Sequence, residues 1–218
     1  MKINEYIDHT YLKAFGTKKE IDQLLAEAKE FQFKSVCINP YFVPYAKEQL
    51  ENSGVLVCTV IGFPLGANTV QTKVFETLDA INNGADEIDM VLNISEVKSH
   101  HYDYILDEIN QVAKACKGKT LKVIIETCYL TEEEIIETSK IVAKSNATFI
   151  KTSTGFGTAG ATVENVKLMK KYTVNKEVKA AGGVRTVEDF NQMVEAGATR
   201  IGTSNGVTLM KNEVGSGY

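Results

Sequence analysis

Eight short runs rich in β-branched residues alternate with longer segments of helical period, and this alternation constrains the fold more than any other feature of the chain. The runs fall at 7–10, 35–39, 55–63, 87–93, 121–127, 148–153, 178–181 and 200–204. Between them lie amphipathic segments. The first sets Ile21, Leu24, Leu25, Ala28 and Phe31 on one face, and the third does the same with Val70, Val74, Leu78 and Ile81. Thr17 with Glu20 and Thr131 with Glu134 read as capping boxes, and Thr186 with Asp189 as a weaker one. Gly84 and Gly197 close helices just ahead of the next strand. Three helix-stop and strand-entry segments resemble one another: Gly84-Ala85-Asp86-Glu87-Ile88-Asp89, Asn146-Ala147-Thr148-Phe149-Ile150-Lys151 and Gly197-Ala198-Thr199-Arg200-Ile201-Gly202. Their unequal spacing argues against a solenoid and for repeated βα units.

Strands joined by crossover helices pair in parallel, and eight of them predict closure into a (β/α)8 TIM barrel. A doubly wound open sheet is the alternative. It would leave exposed edges, and it usually carries a glycine-rich first turn, which Thr10-Tyr11-Leu12-Lys13 is not. The 218 residues suffice for one domain, and only three prolines and no low-complexity stretch interrupt them. We therefore expect a single domain over residues 1–218, with a short flexible tail from about 212.

A net charge of −4 excludes a bulk positive field for nucleic acid or an anionic membrane. An anionic ligand must be caught locally. Cys37, Cys58, Cys116 and Cys128 are scattered without metal-like spacing, which fits reduced thiols better than a disulfide scaffold. The N-terminus lacks an apolar signal segment, and no stretch nears the roughly 20 apolar residues of a membrane helix. A cytoplasmic protein is expected.

Barrel strands are covered on both faces, so a charge within one is expensive unless paired or functional. Asp89, Lys151 and Lys179 stand out, on the fourth, sixth and seventh strands. If they point inward near the C-terminal ends, they converge where barrel enzymes keep their sites. The plainer reading is that each lysine reaches the rim, or that Asp89 only neutralises one. Lys122, at the start of the fifth strand, is read as solvated, with Glu126 on the same strand.

Gly182-Gly183 follows the seventh strand and Gly202-Thr203-Ser204-Asn205-Gly206 the eighth. Glycine-bearing loops at those positions make the usual barrel phosphate site, because backbone amides can approach an anion unobstructed. A lysine that attacks a carbonyl must first lose its proton, against a reference pKa of about 10.4. Bringing that to ~7–8 takes about 4 kcal/mol, and both burial and a second ammonium act in that direction. Lys151 and Lys179 on adjacent strands supply both effects, and on this argument either could be the nucleophile.

The chain resembles the 2-deoxyribose-5-phosphate aldolase family along nearly its whole length. The resemblance is carried by Asp8-His9-Thr10, Val36-Cys37-Ile38-Asn39-Pro40, Ile61-Gly62-Phe63-Pro64-Leu65-Gly66 and Glu87-Ile88-Asp89-Met90-Val91. It continues through Phe149-Ile150-Lys151-Thr152-Ser153-Thr154-Gly155, Lys179-Ala180-Ala181-Gly182-Gly183-Val184-Arg185 and Arg200-Ile201-Gly202-Thr203-Ser204. It implies reversible cleavage of 2-deoxyribose 5-phosphate to glyceraldehyde 3-phosphate and acetaldehyde, in deoxyribonucleotide catabolism, without metal or organic cofactor. It assigns the Schiff base to Lys151 and proton transfer to Asp89 and Lys179. Phosphate is implied among Gly182, Gly183, Gly202 and Ser204, with further substrate contacts at Thr154, Gly155, Asn205, Asp8, Thr10 and Cys37. A homo-oligomer, with a dimer favoured, is expected.

The chain departs from the family in places. Phe156 stands where some members carry a basic residue, so one phosphate contact is expected to be missing, and Asn205 replaces a small hydroxyl residue. Cys37 by itself reads as a small buried thiol. His9 is expected to orient the first loop, and His100 and His101 to begin a solvated helix. Gly215-Ser216-Gly217-Tyr218 reads as a flexible tether. Its phenol is either without consequence or able to turn back and exchange protons with the substrate. The rival functions are a transaldolase-like Schiff-base aldolase, a phosphosugar isomerase with Asp89 or Glu126 as base, and a non-catalytic phosphosugar sensor.

Overall fold

Every β-branched run forms a strand, and the strands close on themselves. In the computed structural model, which describes residues 2–215, they are β1 (Ile7–Tyr11), β2 (Ser35–Ile38), β3 (Leu56–Ile61), β4 (Glu87–Val91), β5 (Thr120–Ile124), β6 (Phe149–Lys151), β7 (Glu177–Ala181) and β8 (Arg200–Thr203). They run in chain order round a closed barrel, all pairings parallel, with β8 returning to β1. The helices are α1 (Lys18–Phe31), α2 (Val43–Gln49), α3 (Val70–Asn82), α4 (Ile94–Lys98), α5 (Tyr102–Ala115), α6 (Glu132–Lys144), α7 (Val163–Tyr172), α8 (Val187–Glu195) and α9 (Gly206–Met210). They wrap a ring of apolar strand faces, including Val36, Val57, Ile88, Val123, Ile150, Val178 and Ile201. This is the expected (β/α)8 barrel in one domain.

The sequence pattern carries several strands too far at their C-terminal ends. The fourth ends at Val91, the fifth at Ile124 and the sixth at Lys151. The residues just beyond, Leu92, Ile125, Thr152 and Ser153, are all 0% exposed. Their apolar or small character reflects burial under the loops, not continued pairing. Stray ladder bonds persist there, as from the Leu92 N–H to the Ile124 carbonyl at 3.2 Å.

All three threonine caps form. The Thr186 hydroxyl accepts the Asp189 N–H at 3.0 Å, and Asp189 accepts the Thr186 N–H at 2.9 Å, so the shorter acid closes a full capping box. Gly84 and Gly197 take φ of 105° and 113° just past α3 and α8. That is the left-handed region in which a helix terminates best on glycine.

The third helix differs from its sequence reading. Its buried face is Val70, Lys73, Thr77 and Ala80, while Val74, Leu78 and Ile81 are only half-buried. The reason is an ion pair. Lys73 Nζ meets Glu108 Oε1 of α5 at 2.6 Å, with both side chains fully buried. Glu108 Oε2 accepts the Asn93 N–H at 2.9 Å, tying in the loop after β4. Burial holds Lys73 below, and Glu108 above, its ordinary range, despite the attraction between them.

Two smaller readings are corrected. His9 does not orient the loop after β1. Its Nε2 turns outward to Glu27 of α1 at 2.6 Å, and its ring lies against Phe33. The tail is not free from residue 212, because the Glu213 N–H donates to Thr208 and the Gly215 N–H to Arg185, each at 2.9 Å. Ser216, Gly217 and Tyr218 lie outside the described residues. His100 and His101 are exposed at the start of α5, and all four cysteines are free.

Replacing Lys73 by Met strands a buried carboxylate and is expected to destabilise the protein by about 3–5 kcal/mol. Adding Glu108→Gln should recover most of that loss. Urea unfolding of both variants measures it, and a double variant no better than the single one would contradict the pairing.

Candidate active site

Side chains alternate across a strand, so residues two apart share a face. By that rule Glu87 and Asp89 enter the barrel together, and Asp8, Cys37, Cys58, Lys122, Lys151, Lys179 and Arg200 join them from other strands. Barrel interiors are ordinarily packed with branched apolar side chains. This one holds an ionic network.

Asp89 is its hub. Its Oδ2 accepts from Lys151 Nζ at 2.7 Å and Lys179 Nζ at 2.8 Å. Its Oδ1 accepts from Lys122 Nζ at 2.9 Å and from the Cys58 thiol at 3.1 Å. Beneath it, Lys122 also meets Glu87 at 2.6 Å. Lys179 also meets Asp8 at 2.5 Å, and Arg200 spans Asp8 and Glu87 at 2.7 and 2.9 Å. The Ser35 hydroxyl completes the shell of Asp8 at 2.7 Å. Lys122 is thus fully buried, not solvated as its place at the strand entry suggested, because its inward-facing position is in register with Asp89.

The electrostatics follow from these contacts. Burial opposes charge on Asp89, but the Lys122, Lys151 and Lys179 ammonium groups outweigh it and hold the carboxyl well below its ordinary range. Burial likewise opposes charge on Asp8, and Lys179, Lys122 and Arg200 overcome it. Burial also disfavours the Lys179 ammonium, yet Asp8 and Asp89 raise it well above the usual lysine value. Three carboxylates face four cations in this network. One positive charge is in excess when all seven groups are ionised.

Above the network lies a small pocket at the C-terminal mouth, enclosing about 290 Å³. It is lined by Thr10, Leu12, Lys151, Thr154, Gly155, Ala181, Gly182, Gly202, Thr203 and Ser204. Among the described residues, Lys151 is the only ionisable group on that wall. The loops after β7 and β8 face each other here. Gly182 takes φ 82°, and a Cβ there would stand 3.0 Å from Gly160 Cα, so only glycine leaves the space open. A wider groove of about 670 Å³ runs alongside between the β1 loop and α1, sharing Thr10 and Ser204.

The structure brings together on one wall Lys151, Thr154, Gly155, Gly182, Gly202, Ser204 and Thr10 from the sequence reading. Asp89, Lys179 and Asp8 lie below that wall, fully buried. Cys37 packs with Leu12, Cys58, Val60 and Phe63. Gly183 is one residue beyond the wall, and Asn205 is buried with its Nδ2 3.5 Å from the Val184 carbonyl. The sequence reading missed Glu87, Cys58 and Arg200. Counting by twos from Asp89 would have found Glu87, whereas Arg200 carries no local signal because its partners come from β1 and β4.

Among the described residues, Cys37, Cys58 and Asp89 could together offer a metal three ligand atoms, as could Asp8, Cys58 and Glu87. The carboxylates of both sets are already paired to lysine or arginine, which a metal ion would have to displace. No helix among these residues is long and apolar enough to cross a membrane.

Fold and pocket together are those of a (β/α)8-barrel enzyme. The chain belongs to the DeoC/LacD family of aldolases, whose family model matches residues 3–214. It is 58% identical over 220 residues to deoxyribose-phosphate aldolase 1 of Staphylococcus aureus (strain Mu50), covering all of both chains. Among solved structures, it matches an aldolase named QR15 with a TM-score of 0.92 and 42% identity, over 97% of this chain and 95% of that one. A tetrameric deoxyribose phosphate aldolase from Aeropyrum pernix matches with a TM-score of 0.89 and 29% identity, over 96% and 89% of the two chains.

Asp89 has a folded pKa well below its unfolded value of about 3.9. The stability from its ion pairs is therefore complete above that unfolded value and is lost as pH falls toward the folded one. Asp89→Asn, which leaves buried ammonium groups uncompensated, is expected to cost about 3–5 kcal/mol at pH 6. Urea unfolding at pH 6 and pH 3 should show a shallower fall for the variant than for the native protein. Equal falls would remove Asp89 as the hub.

Proposed function

We propose that this protein is a deoxyribose-phosphate aldolase, cleaving 2-deoxy-D-ribose 5-phosphate reversibly to D-glyceraldehyde 3-phosphate and acetaldehyde through an imine on Lys151. The observation that carries the assignment of the amine is that Lys151 alone, of the four cations in the barrel, reaches the pocket wall. It also has one carboxylate partner where Lys179 and Lys122 have more. An aldehyde entering the pocket meets this amine and no other of the four cations, which suits Lys151 to be the nucleophile.

The chemistry then runs on this chain's own residues. The Lys151 amine adds to the aldehyde carbon of the open-chain sugar, and loss of water leaves a protonated imine paired with Asp89. This cation draws the electrons of the C2–C3 bond as the C3 hydroxyl gives its proton to Asp89, or to a water that Asp89 holds, and glyceraldehyde 3-phosphate departs. The enamine left on Lys151 takes a proton at carbon, and hydrolysis frees acetaldehyde and the amine. Asp89 and Lys179 serve proton transfer. Asp89 is held ionised by three ammonium groups, so it passes protons on and does not store them. Lys179, kept protonated by Asp8 and Asp89, is the donor.

Gly182, Gly183, Gly202 and Ser204 hold the phosphate, with Thr154, Gly155 and Thr10 shaping the remaining wall and Asn205 packed behind it against Val184. Phe156 in place of a cation leaves the phosphate to backbone amides and hydroxyls. Asp8 and Cys37 support the site from beneath. The protein acts in the cytoplasm as a homodimer.

Borohydride reduction in the presence of 2-deoxyribose 5-phosphate, followed by peptide mass spectrometry, should place the adduct on Lys151, and Lys151→Ala should abolish turnover without changing the thermal midpoint. An adduct on Lys179 would reverse the assignment, and no adduct with active enzyme would favour an isomerase.

We also propose that Tyr218 takes part in proton exchange at the enamine carbon. Support comes from Gly215, which is bonded to Arg185 and lies against Asn205 beside the phosphate loops. Deleting Gly217 and Tyr218 is expected to lower kcat and slow deuterium exchange into the acetaldehyde methyl group. Native values in the truncated protein would exclude the tail.

A further inference from the structure

Where β5 ends, the chain adopts a conformation that a side-chain-bearing residue avoids. Glu126 sits in the left-handed region, at φ 50° and ψ 67°, although it is only 1% exposed. Such a conformation is strained for a residue with a side chain and persists only when its surroundings over-determine it. Its neighbours do so from both sides. The Ile125 N–H donates to the Lys151 carbonyl and the Thr127 N–H to the Thr152 carbonyl, each at 3.0 Å.

Between those two bonds the Glu126 carboxylate reaches across to the exit of β6. Its two oxygens accept the Thr154 backbone N–H at 3.3 and 3.2 Å, and one also accepts the Thr154 hydroxyl proton. The same hydroxyl accepts the Phe156 N–H at 2.9 Å. The Phe156 ring then meets Phe63 edge-on at 5.4 Å, joining the loop after β6 to the loop after β3. Thr154 and Gly155, the braced residues, both line the pocket, and Glu126 does not. Gly155 borders the glycine loop opposite, since a Cβ on Gly182 would lie 3.9 Å from its Cα.

We propose that Glu126 is a positioning residue for substrate affinity: through Thr154 it holds the Thr154–Gly155 wall at the spacing from Gly182 that a bound phosphate needs. The inference rests on the reading of this pocket as a phosphosugar site. Glu126 acts as a hydrogen-bond acceptor for Thr154, so an amide in its place can do most of the same work, whereas a methyl group cannot.

The test uses Glu126→Ala and Glu126→Gln in the full-length protein, each checked for its thermal midpoint. Loss of the acceptors in Glu126→Ala is expected to raise KM for 2-deoxyribose 5-phosphate by about tenfold, the equivalent of about 1.4 kcal/mol, with kcat nearly unchanged. KM for unphosphorylated 2-deoxyribose should move much less. Glu126→Gln should restore KM most of the way. Titration calorimetry with inorganic phosphate gives a readout independent of turnover, and binding to Glu126→Ala should weaken by a similar factor. Unchanged phosphate affinity, a fall in kcat at constant KM, or equal defects in the Ala and Gln variants would each overturn the proposal. If native protein binds phosphate in a Glu126-dependent way but cleaves neither sugar, the function is at fault and the positioning role stands.

Discussion

The carboxylate of Asp89 is the point on which this molecule turns. A lone anion at the centre of a barrel would be driven to neutrality by desolvation. Here three ammonium groups on three successive strands, β5 to β7, converge on its two oxygens. Lys151 has no other carboxylate partner, while Lys122 and Lys179 share Asp89 with Glu87 and Asp8. Removing water from seven charged groups is expensive, and such networks seldom stabilise a fold relative to a packed apolar core. Their presence where Val, Ile and Leu would pack marks an interior shaped by chemistry.

The network is also layered. Asp8, Glu87 and Arg200 form a lower tier whose charges are saturated by mutual contacts at 2.7–3.3 Å. Lys122 and Lys179 connect that tier to Asp89, and Lys151 stands at the top with one partner and access to the pocket. The number of carboxylate partners is smallest at the mouth, where Lys151 has one and the other cations have two or more. Lys151 is thus set apart from the more heavily paired Lys122 and Lys179, though all are lysines of the same intrinsic chemistry.

The walls above depend on backbone more than on charge. Glycines at 155, 182 and 202 bring main chain close to the pocket, and the loop after β6 is fixed by a left-handed glutamate just past the end of the neighbouring strand. The division leaves Lys151 as the one cation on the pocket wall among the described residues. Phe156, packed on Phe63, is consistent with the same economy of charge.

The number of strands, their parallel order and the helix caps were legible in the sequence, because periodicity and capping are local properties set by neighbours three or four positions apart. So were Asp89, Lys151 and Lys179, since charges inside β-branched runs are conspicuous, and the glycine loops beside them. Which lysine faces the ligand was not legible. That depends on height within the barrel, set by the stagger of strands distant in sequence. The same holds for Lys122, which looked solvated until its register with Asp89 buried it. Lys73 was hidden for a related reason, because its partner Glu108 lies on another helix and makes a charged residue fit where the pattern assigned apolar ones. Arg200 gave no sign at all, as both its carboxylates come from strands more than a hundred residues away. Sequence alone determined which charges entered the barrel. Tertiary structure decided their pairing, and so which one borders the pocket with a single partner, because ion-pair energy depends on distance and burial that only the closed fold defines.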